Sequence, residues 1–218
     1  MSAPRIVRVD PDADHAAMAA ALAEALVALA RGAVVATPTE TFYGLAADPT
    51  REDAVAAIFA AKGRATSEAL PLIAADLAAA RRVAAQWGRA ADRLATAFWP
   101  GPLTLVVPVR AGAVVSGVTA GGPTVGVRVS AHAVARALAA SVSCGLITAT
   151  SANRSGTPAL ASADAVAAAL GGAVDVVIDA GPSPGGLAST IVGLDGDAPP
   201  RLIREGPIAF ARVLESLR

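Results

Sequence analysis

Short apolar runs alternate along the chain with longer alanine-rich stretches, and glycine, proline or small polar residues separate them. A short apolar run bounded by turn residues is typical of a buried strand, whereas apolar positions recurring every three or four residues indicate a helix. This pattern predicts strands over residues 5–9, 33–37, 70–74, 103–109, 125–129, 146–150, 174–179, 189–192 and 201–204. It predicts helices over residues 12–31, 50–61, 76–86, 89–98, 131–140, 162–170 and 208–217, with a loop over 111–123.

Polar residues and glycines mark the ends of several of these helices. Asp12 or Asp14 is expected to cap the first helix, and Gly32 to end it. Thr50 and Asp53 have the spacing of a capping box. The alternation of strands and helices, with several short connections, predicts an α/β fold in which helices cover a sheet of mixed strand direction.

Length and composition favour one domain over residues 1–218, with 54% apolar residues to build its core. No apolar run reaches the length of a membrane span, and residues 1–5 lack the apolar centre of a signal peptide. We therefore expect a soluble, cytoplasmic protein. Cys144 is the only cysteine, which excludes a disulfide framework and a thiolate metal site.

Lys62 is the first residue whose chemistry stands out, because it is the only lysine among 18 lysine and arginine residues. An ammonium group acts as a point charge, which a planar guanidinium cannot imitate. The alternative is structural: Lys62 precedes Gly63 at a predicted helix end, where a cation interacts favourably with the helix dipole.

Polar side chains also collect where predicted strands end, which is where ligands bind in open α/β sheets. Thr39, Arg128, Ser151, Asn153 and Arg204 all occupy such positions. Their cations, hydroxyls and amide suit phosphate and carboxylate recognition. The two histidines have no metal-ligand spacing, and neither a P-loop nor a Gly-x-Ser-x-Gly motif is present, which disfavours zinc, P-loop and serine hydrolase chemistry.

The chain resembles the YrdC/Sua5 family in a series of motifs that occur in the family's order. The motifs are PTETFYGL at 38–45, IFAAKGR at 58–64, FWPGPLT at 98–104, VGVR at 125–128, SANRSG at 151–156, STIV at 189–192 and LIREG at 202–206. The resemblance implies a twisted, open, mixed sheet with flanking helices, the YrdC-like (DHBP synthase-like) fold. The length is similar to that of the short form without the C-terminal Sua5 domain.

The resemblance also implies a nucleotidyltransferase that forms L-threonylcarbamoyladenylate and pyrophosphate from L-threonine, bicarbonate and ATP. This reaction serves the t6A37 modification of tRNA, so downstream threonylcarbamoyl-transfer proteins and a weak contact with tRNA are expected. Mg²⁺ is expected to arrive with ATP, because magnesium commonly uses the oxygens of its substrate.

Site residues carry over position by position from the matching motifs. Lys62 and Arg64 are implied as catalytic residues that hold the phosphates. The nucleotide is implied to contact Lys62, Arg64, Thr124, Ser151, Asn153 and Arg204. L-Threonine is implied to contact Thr39, Arg128 and Ser189. The alternative role of Ser151 and Asn153 is to shape the loop. The alternative role of Thr39 and Ser189 is to form hydrogen bonds with nearby backbone groups.

Four positions depart from the family pattern, namely Ala65, Ala69, Ile73 and Ala159. The first three are expected to affect the threonine pocket, and Ala159 the nucleotide site. Two other functions remain open: a related carbamoyl-adenylate or carbamoyltransferase domain, and an RNA-binding module. A net charge of zero and only 3% aromatic residues offer little to an RNA-binding surface.

Overall fold

The computed structural model describes residues 3–63, 68–196 and 198–218. The strands are β1 (Arg5–Arg8), β2 (Val35–Thr37), β3 (Gly44–Ala46), β4 (Leu72–Ala74), β5 (Leu103–Pro108), β6 (Thr124–Arg128), β7 (Leu146–Thr148), β8 (Thr150–Ser151), β9 (Val176–Asp179), β10 (Thr190–Gly193) and β11 (Arg201–Arg204). The helices are α1 (His15–Ala30), α2 (Glu52–Lys62), α3 (Leu77–Val83), α4 (Arg89–Phe98), α5 (Ser116–Thr119), α6 (Ala133–Ala140), α7 (Ala163–Leu170) and α8 (Phe210–Glu215).

The strands form two sheets, each with parallel and antiparallel neighbours. The first sheet has the order β1-β9-β2-β3-β8, and the second has the order β11-β10-β5-β6-β4-β7. Pairs such as β1 with β9 and β10 with β5 are parallel, whereas β2 with β3 and β5 with β6 are antiparallel. The predicted mixed α/β class with flanking helices is confirmed, and the strands divide between two sheets.

The two sheets meet where the chain passes directly from β7 to β8. The predicted strand over 146–150 is interrupted at Ala149, so β7 lies at an edge of the second sheet and β8 at an edge of the first. Thr148 Oγ1 donates to Leu45 O over 3.1 Å and accepts from Ala47 N over 2.9 Å. Ala149 N donates to Pro71 O over 2.8 Å. The two bonds of the Thr148 hydroxyl, which we call the seam, join the second sheet to the first.

Two apolar clusters fill the space between sheets and helices. One cluster packs α1 and α6 against the sheets through Leu22, Leu138, Ile73 and other buried residues. The other packs residues of α2, α3, α4 and α7 against the sheets and includes the fully buried Leu72. In the described part of the chain, no helix is both long enough and apolar enough to cross a membrane.

The predicted helix ends are partly right. Asp14 caps α1, because its carboxylate accepts a bond from Ala17 N over 2.9 Å. The capping box is wrong: Thr50 Oγ1 donates to Asp48 instead, and the Asp53 carboxylate pairs with Arg51, the residue that precedes α2. Side chains two residues apart compete here for the partners that a capping box would use.

The region predicted as a loop over 111–123 contains the short helix α5. Val118 on this helix is fully buried, and its carbonyl accepts a bond from Leu70 N over 2.8 Å. The helix has only 4 residues, so its apolar positions do not repeat often enough to be recognised in the sequence. Burial of Val118 against the rest of the core stabilises the turn.

The seam yields a test of how the sheets are joined. Replacing Thr148 with valine keeps the side-chain shape but removes the hydroxyl that bonds to Ala47 N and Leu45 O in a buried place. We expect Thr148→Val to lower the free energy of unfolding by about 1–3 kcal/mol, as measured by urea denaturation.

Thr50→Val is the matched control, because Thr50 is exposed and bonds only to a neighbouring exposed carboxylate. Its effect should stay within about 0.5 kcal/mol. Equal losses for the two variants would contradict a special contribution from the seam.

Candidate active site

A cavity of about 410 Å³ lies between the two sheets, with lining residues from both. Of the predicted site residues, Thr39, Arg128, Ser151, Ser189 and Arg204 line it. Thr39 lies in the connection between β2 and β3, Arg128 in β6 and Ser151 in β8. Ser189 directly precedes β10, and Arg204 ends β11. The structure therefore brings together groups that lie up to 165 residues apart in the chain.

Lys62 lies at the end of α2, directly before Gly63 in the left-handed conformation, as predicted. Its ammonium nitrogen lies 2.5 Å from Ser151 O, 3.1 Å from Asn153 O and 3.3 Å from Asn153 Oδ1. Only 4% of the residue is exposed. The ammonium thus reaches a different segment instead of capping its own helix, and joins α2 to the strand end that lines the cavity.

Asn153 has a shaping role in the same segment. Its Nδ2 donates to Arg154 O over 3.0 Å and to Thr157 O over 2.5 Å, which closes the turn after β8. Its Oδ1 faces the Lys62 ammonium. Asn153 therefore shapes the loop, as the alternative interpretation predicted. A contact between Asn153 and a nucleotide stays a prediction.

Arg128 carries a buried positive charge into the cavity wall. Its Nη1 donates to Glu40 Oε1, while the Ser130 hydroxyl donates to Glu40 Oε2. Burial lowers the pKa of Arg128, and the Glu40 carboxylate acts in the opposite direction. Sequence analysis missed Glu40; the available signal was a single carboxylate inside a strand-end segment of hydroxyl and aromatic residues, residues 39–43.

Ser189 and Arg204 form a second polar group in the cavity. Arg204 donates to Ser189 O from Nη2 over 2.8 Å and from Nε over 3.1 Å. The Ser189 hydroxyl lies 3.0 Å from Thr104 Oγ1, a residue that sequence analysis also missed although it is polar within an apolar strand. Burial lowers the pKa of Arg204, and the nearby positive charge of Arg128 lowers it further. The two guanidinium groups therefore repel each other.

Thr39 is engaged in the local turn. Its hydroxyl donates to Phe42 O over 2.7 Å and accepts from Thr41 N over 3.2 Å. It satisfies backbone groups, as the alternative interpretation predicted. Its role in binding L-threonine stays a prediction, which its place on the cavity wall permits.

The remaining predicted residues lie elsewhere. Thr124 begins β6, is exposed, and lies at the opposite end of that strand from Arg128, so it is not brought to the cavity. Arg64 and Ala65 lie outside the described residues. Ile73 is fully buried in the cluster around α1 and α6, whereas Ala69 and Ala159 line the cavity.

The glycine-rich segment 181–186 packs against the connection that contains Thr39. The Tyr43 hydroxyl donates to Gly181 O over 2.8 Å, and Gly185 N donates to Thr41 O over 2.8 Å. Gly181 and Gly185 have φ angles of 84° and 75°, which side chains strongly disfavour. This segment is a turn that supports the cavity wall.

The described residues contain no cluster of three histidine, cysteine, aspartate or glutamate side chains that could hold a metal ion. The cavity instead presents guanidinium groups, hydroxyls and, behind its wall, an ammonium. Fold and site together define the class: an open α/β protein with a polar cavity between its sheets, lined by Arg128 and Arg204 and also by Glu68.

Comparisons with known proteins identify the family. The sequence profile of the Sua5/YciO/YrdC family, described as "Telomere recombination", matches residues 27–206. A Mycobacterium leprae protein is 38% identical over 205 residues, which are 94% of this chain and 91% of that protein. The threonylcarbamoyl-AMP synthase of Bacillus subtilis is 39% identical over 88% of this chain. The chain belongs to the Sua5/YciO/YrdC family.

The solved structures agree. Pyrococcus abyssi Sua5 complexed with L-threonine superimposes with a TM-score of 0.88 and 36% identity over 97% of this chain. This chain covers 60% of that Sua5 chain and 55% of the Bacillus subtilis relative. It therefore spans little more than half the length of these two proteins.

Tyr43 offers a direct test of the packing at the cavity wall. Burial, followed by the negative charge of Asp179, raises its pKa from 10.0 to about 12. Because the folded-state pKa is raised, the neutral phenol stabilises the fold below about pH 10, and this contribution is lost as the pH rises through about 12.

Tyr43 is the only tyrosine in the chain, so its phenolate absorbance can be followed without overlap from another tyrosine. We expect the absorbance of the folded protein to rise near pH 12, and that of urea-unfolded protein near pH 10. Tyr43→Phe provides the blank. Titration at the ordinary pKa while the protein remains folded would contradict the burial of this phenol.

Proposed function

We propose that this chain is a threonylcarbamoyl-AMP synthase that uses L-threonine, bicarbonate and ATP and releases pyrophosphate. The observation that carries the proposal is the cavity, in which Arg128, Ser189 and Arg204 meet Ser151 and the segment held by Lys62. Relatives with this enzyme name, and the L-threonine complex of Pyrococcus abyssi Sua5, support it.

On the amino-acid side, Arg128 is proposed to bind the carboxylate of L-threonine. Guanidinium groups bind carboxylates through parallel hydrogen bonds, and Arg128 reaches the cavity from β6. Thr39 and Ser189 line the same cavity and are proposed to contact the rest of the substrate. The amine of L-threonine then combines with bicarbonate to give a carbamate and water.

On the nucleotide side, the carbamate oxygen attacks the α-phosphorus of ATP and pyrophosphate leaves. This step needs positioning and charge neutralisation and no covalent nucleophile. Lys62 and Arg64 are proposed to neutralise the phosphates, with Ser151, Asn153 and Arg204 holding the nucleotide. Mg²⁺ is proposed to arrive with ATP and to be held by the phosphate oxygens, because magnesium commonly takes its ligands from the substrate.

The product is a mixed anhydride, which requires an acceptor. Downstream threonylcarbamoyl-transfer proteins that act on tRNA are proposed to consume it for t6A37, with a weak direct contact between this chain and tRNA. A cytoplasmic location and a single YrdC-like domain over residues 1–218 complete the proposal.

The proposal is tested by pyrophosphate release from purified protein with ATP, Mg²⁺ and bicarbonate. We expect release that requires both L-threonine and bicarbonate and that is lower with L-serine, because the extra methyl group of threonine adds contact in the cavity. Turnover with carbamoyl phosphate and without threonine would favour the carbamoyl-transfer alternative. No pyrophosphate release with either L-threonine and bicarbonate or carbamoyl phosphate, together with saturable RNA binding, would favour the RNA-binding module.

Lys62 provides the sharpest single substitution for this function. Lys62→Met removes an ammonium that no other lysine replaces and leaves the oxygens of Ser151 and Asn153 without their cation. We expect kcat/KM to fall by roughly a hundredfold or more. Lys62→Arg should rescue little, because a planar guanidinium does not fit the position of a point charge.

The control for Lys62 is Arg89→Met, which removes an exposed cation at the start of α4, away from the residues that line the cavity. Its kcat/KM should equal that of the unmodified protein. Full activity of Lys62→Met would exclude the assigned role of the ammonium.

A further inference from the structure

Glu40 has no role in the proposed reaction, yet its carboxylate is one of the most enclosed acidic groups in the described structure. Its side chain is 12% exposed, and both oxygens have partners. Oε1 accepts from Arg128, and Oε2 accepts from Ser130. Ser130 Oγ in turn accepts from His132 N over 3.2 Å. The carboxylate is therefore fixed from two directions.

The partners of Glu40 belong to the other sheet. Glu40 lies in the connection between β2 and β3 of the first sheet, whereas Arg128 ends β6 of the second sheet. The pair thus connects the two walls of the cavity at the position of the guanidinium. Loss of the pair would free that guanidinium to adopt other rotamers.

Glu40 also balances charge in this wall. Arg128 and Arg204 both line the cavity, and their charges act on each other. A buried guanidinium without a partner carries a large desolvation cost. With Glu40 in place, the cation of Arg128 is compensated, and within the described residues its one hydrogen bond runs from Nη1 to Glu40. A guanidinium has five N–H donors, so further donors can bind a ligand.

Glu40 does not itself reach the main cavity. Thr39 and Thr41 on either side line that cavity, whereas Glu40 lines a separate groove of about 490 Å³ together with Pro100, Pro102 and Leu187. Its carboxylate contacts Arg128, which does line the main cavity. The most direct effect of the Glu40 charge on a ligand there is therefore through the guanidinium.

We propose that Glu40 is a positioning residue that orients Arg128 for the carboxylate of the amino-acid substrate. The inference rests on the proposed function, because it assigns the carboxylate side of the same cavity. Glu40 accepts a hydrogen bond from Nη1 of the guanidinium. The substrate carboxylate binds donors of the same guanidinium that face the cavity. Ser130 keeps the carboxylate of Glu40 in place.

The test compares Glu40→Gln, which keeps length and an acceptor oxygen but removes the charge, with Glu40→Ala, which removes both. L-Threonine affinity is measured by isothermal titration calorimetry with a non-hydrolysable ATP analogue and Mg²⁺, and the affinity for that analogue is measured alone. We expect the threonine Kd to rise roughly tenfold for Gln and roughly a hundredfold for Ala. The analogue Kd should change by less than about twofold.

Glu24→Gln is the matched control, since it removes the charge from an Arg–Glu pair, Arg5 with Glu24, that is exposed. It should leave both affinities unchanged. Circular dichroism and thermal unfolding identify a variant that fails to fold. If Glu40→Ala does not fold, the threonine Kd of Glu40→Gln, which keeps an acceptor for Arg128, tests the role of Glu40.

The possible outcomes bear differently on the two proposals. Threonine affinity of Glu40→Gln equal to the unmodified protein, or equal losses for threonine and the ATP analogue, would overturn the role of Glu40. Threonine binding by the unmodified protein without pyrophosphate release would overturn the proposed function, while the variant affinities still test Glu40. Absence of threonine binding in the unmodified protein would overturn both.

Discussion

Arg128 places a guanidinium in a wall of the cavity where 6% of the residue is exposed, and a charge in such surroundings needs a partner. Glu40 supplies that partner from the opposite sheet, and Ser130 fixes the carboxylate. The cavity between the sheets therefore depends on a cross-sheet ion pair. Its polar wall keeps its shape because breaking the pair would leave a buried charge uncompensated.

The same constraint operates at Lys62. Its ammonium is enclosed by oxygens of Ser151 and Asn153, so α2 and the end of β8 are joined by a charge that cannot leave without cost. Hydrogen bonds within the protein occupy most polar groups of the site, Thr39 and Ser189 included. A site built in this way is preorganised, since its groups are oriented before a ligand arrives.

Hydrophobic patterning was sufficient to predict most strands and helices, because each apolar run had turn residues at its ends. It failed where tertiary contacts replaced a local rule. Thr50 bonds to Asp48 instead of capping α2, α5 forms because Val118 is buried, and the strand over 146–150 divides at Ala149 between two sheets. The class was predictable; the division into two sheets depends on contacts between distant segments.

For the site, sequence alone determined the residue types and their order: a single lysine before a glycine, hydroxyls and arginines at strand ends, and motifs of the Sua5/YciO/YrdC family. It also placed Lys62 at the C-terminal end of a helix, directly before Gly63. Only the tertiary structure decided that Glu40 pairs with Arg128, that Thr104 joins Ser189, and that Thr124 lies apart from them. These facts depend on which strands become neighbours, and side chains far apart in sequence acquire partners only when the sheets close around the cavity.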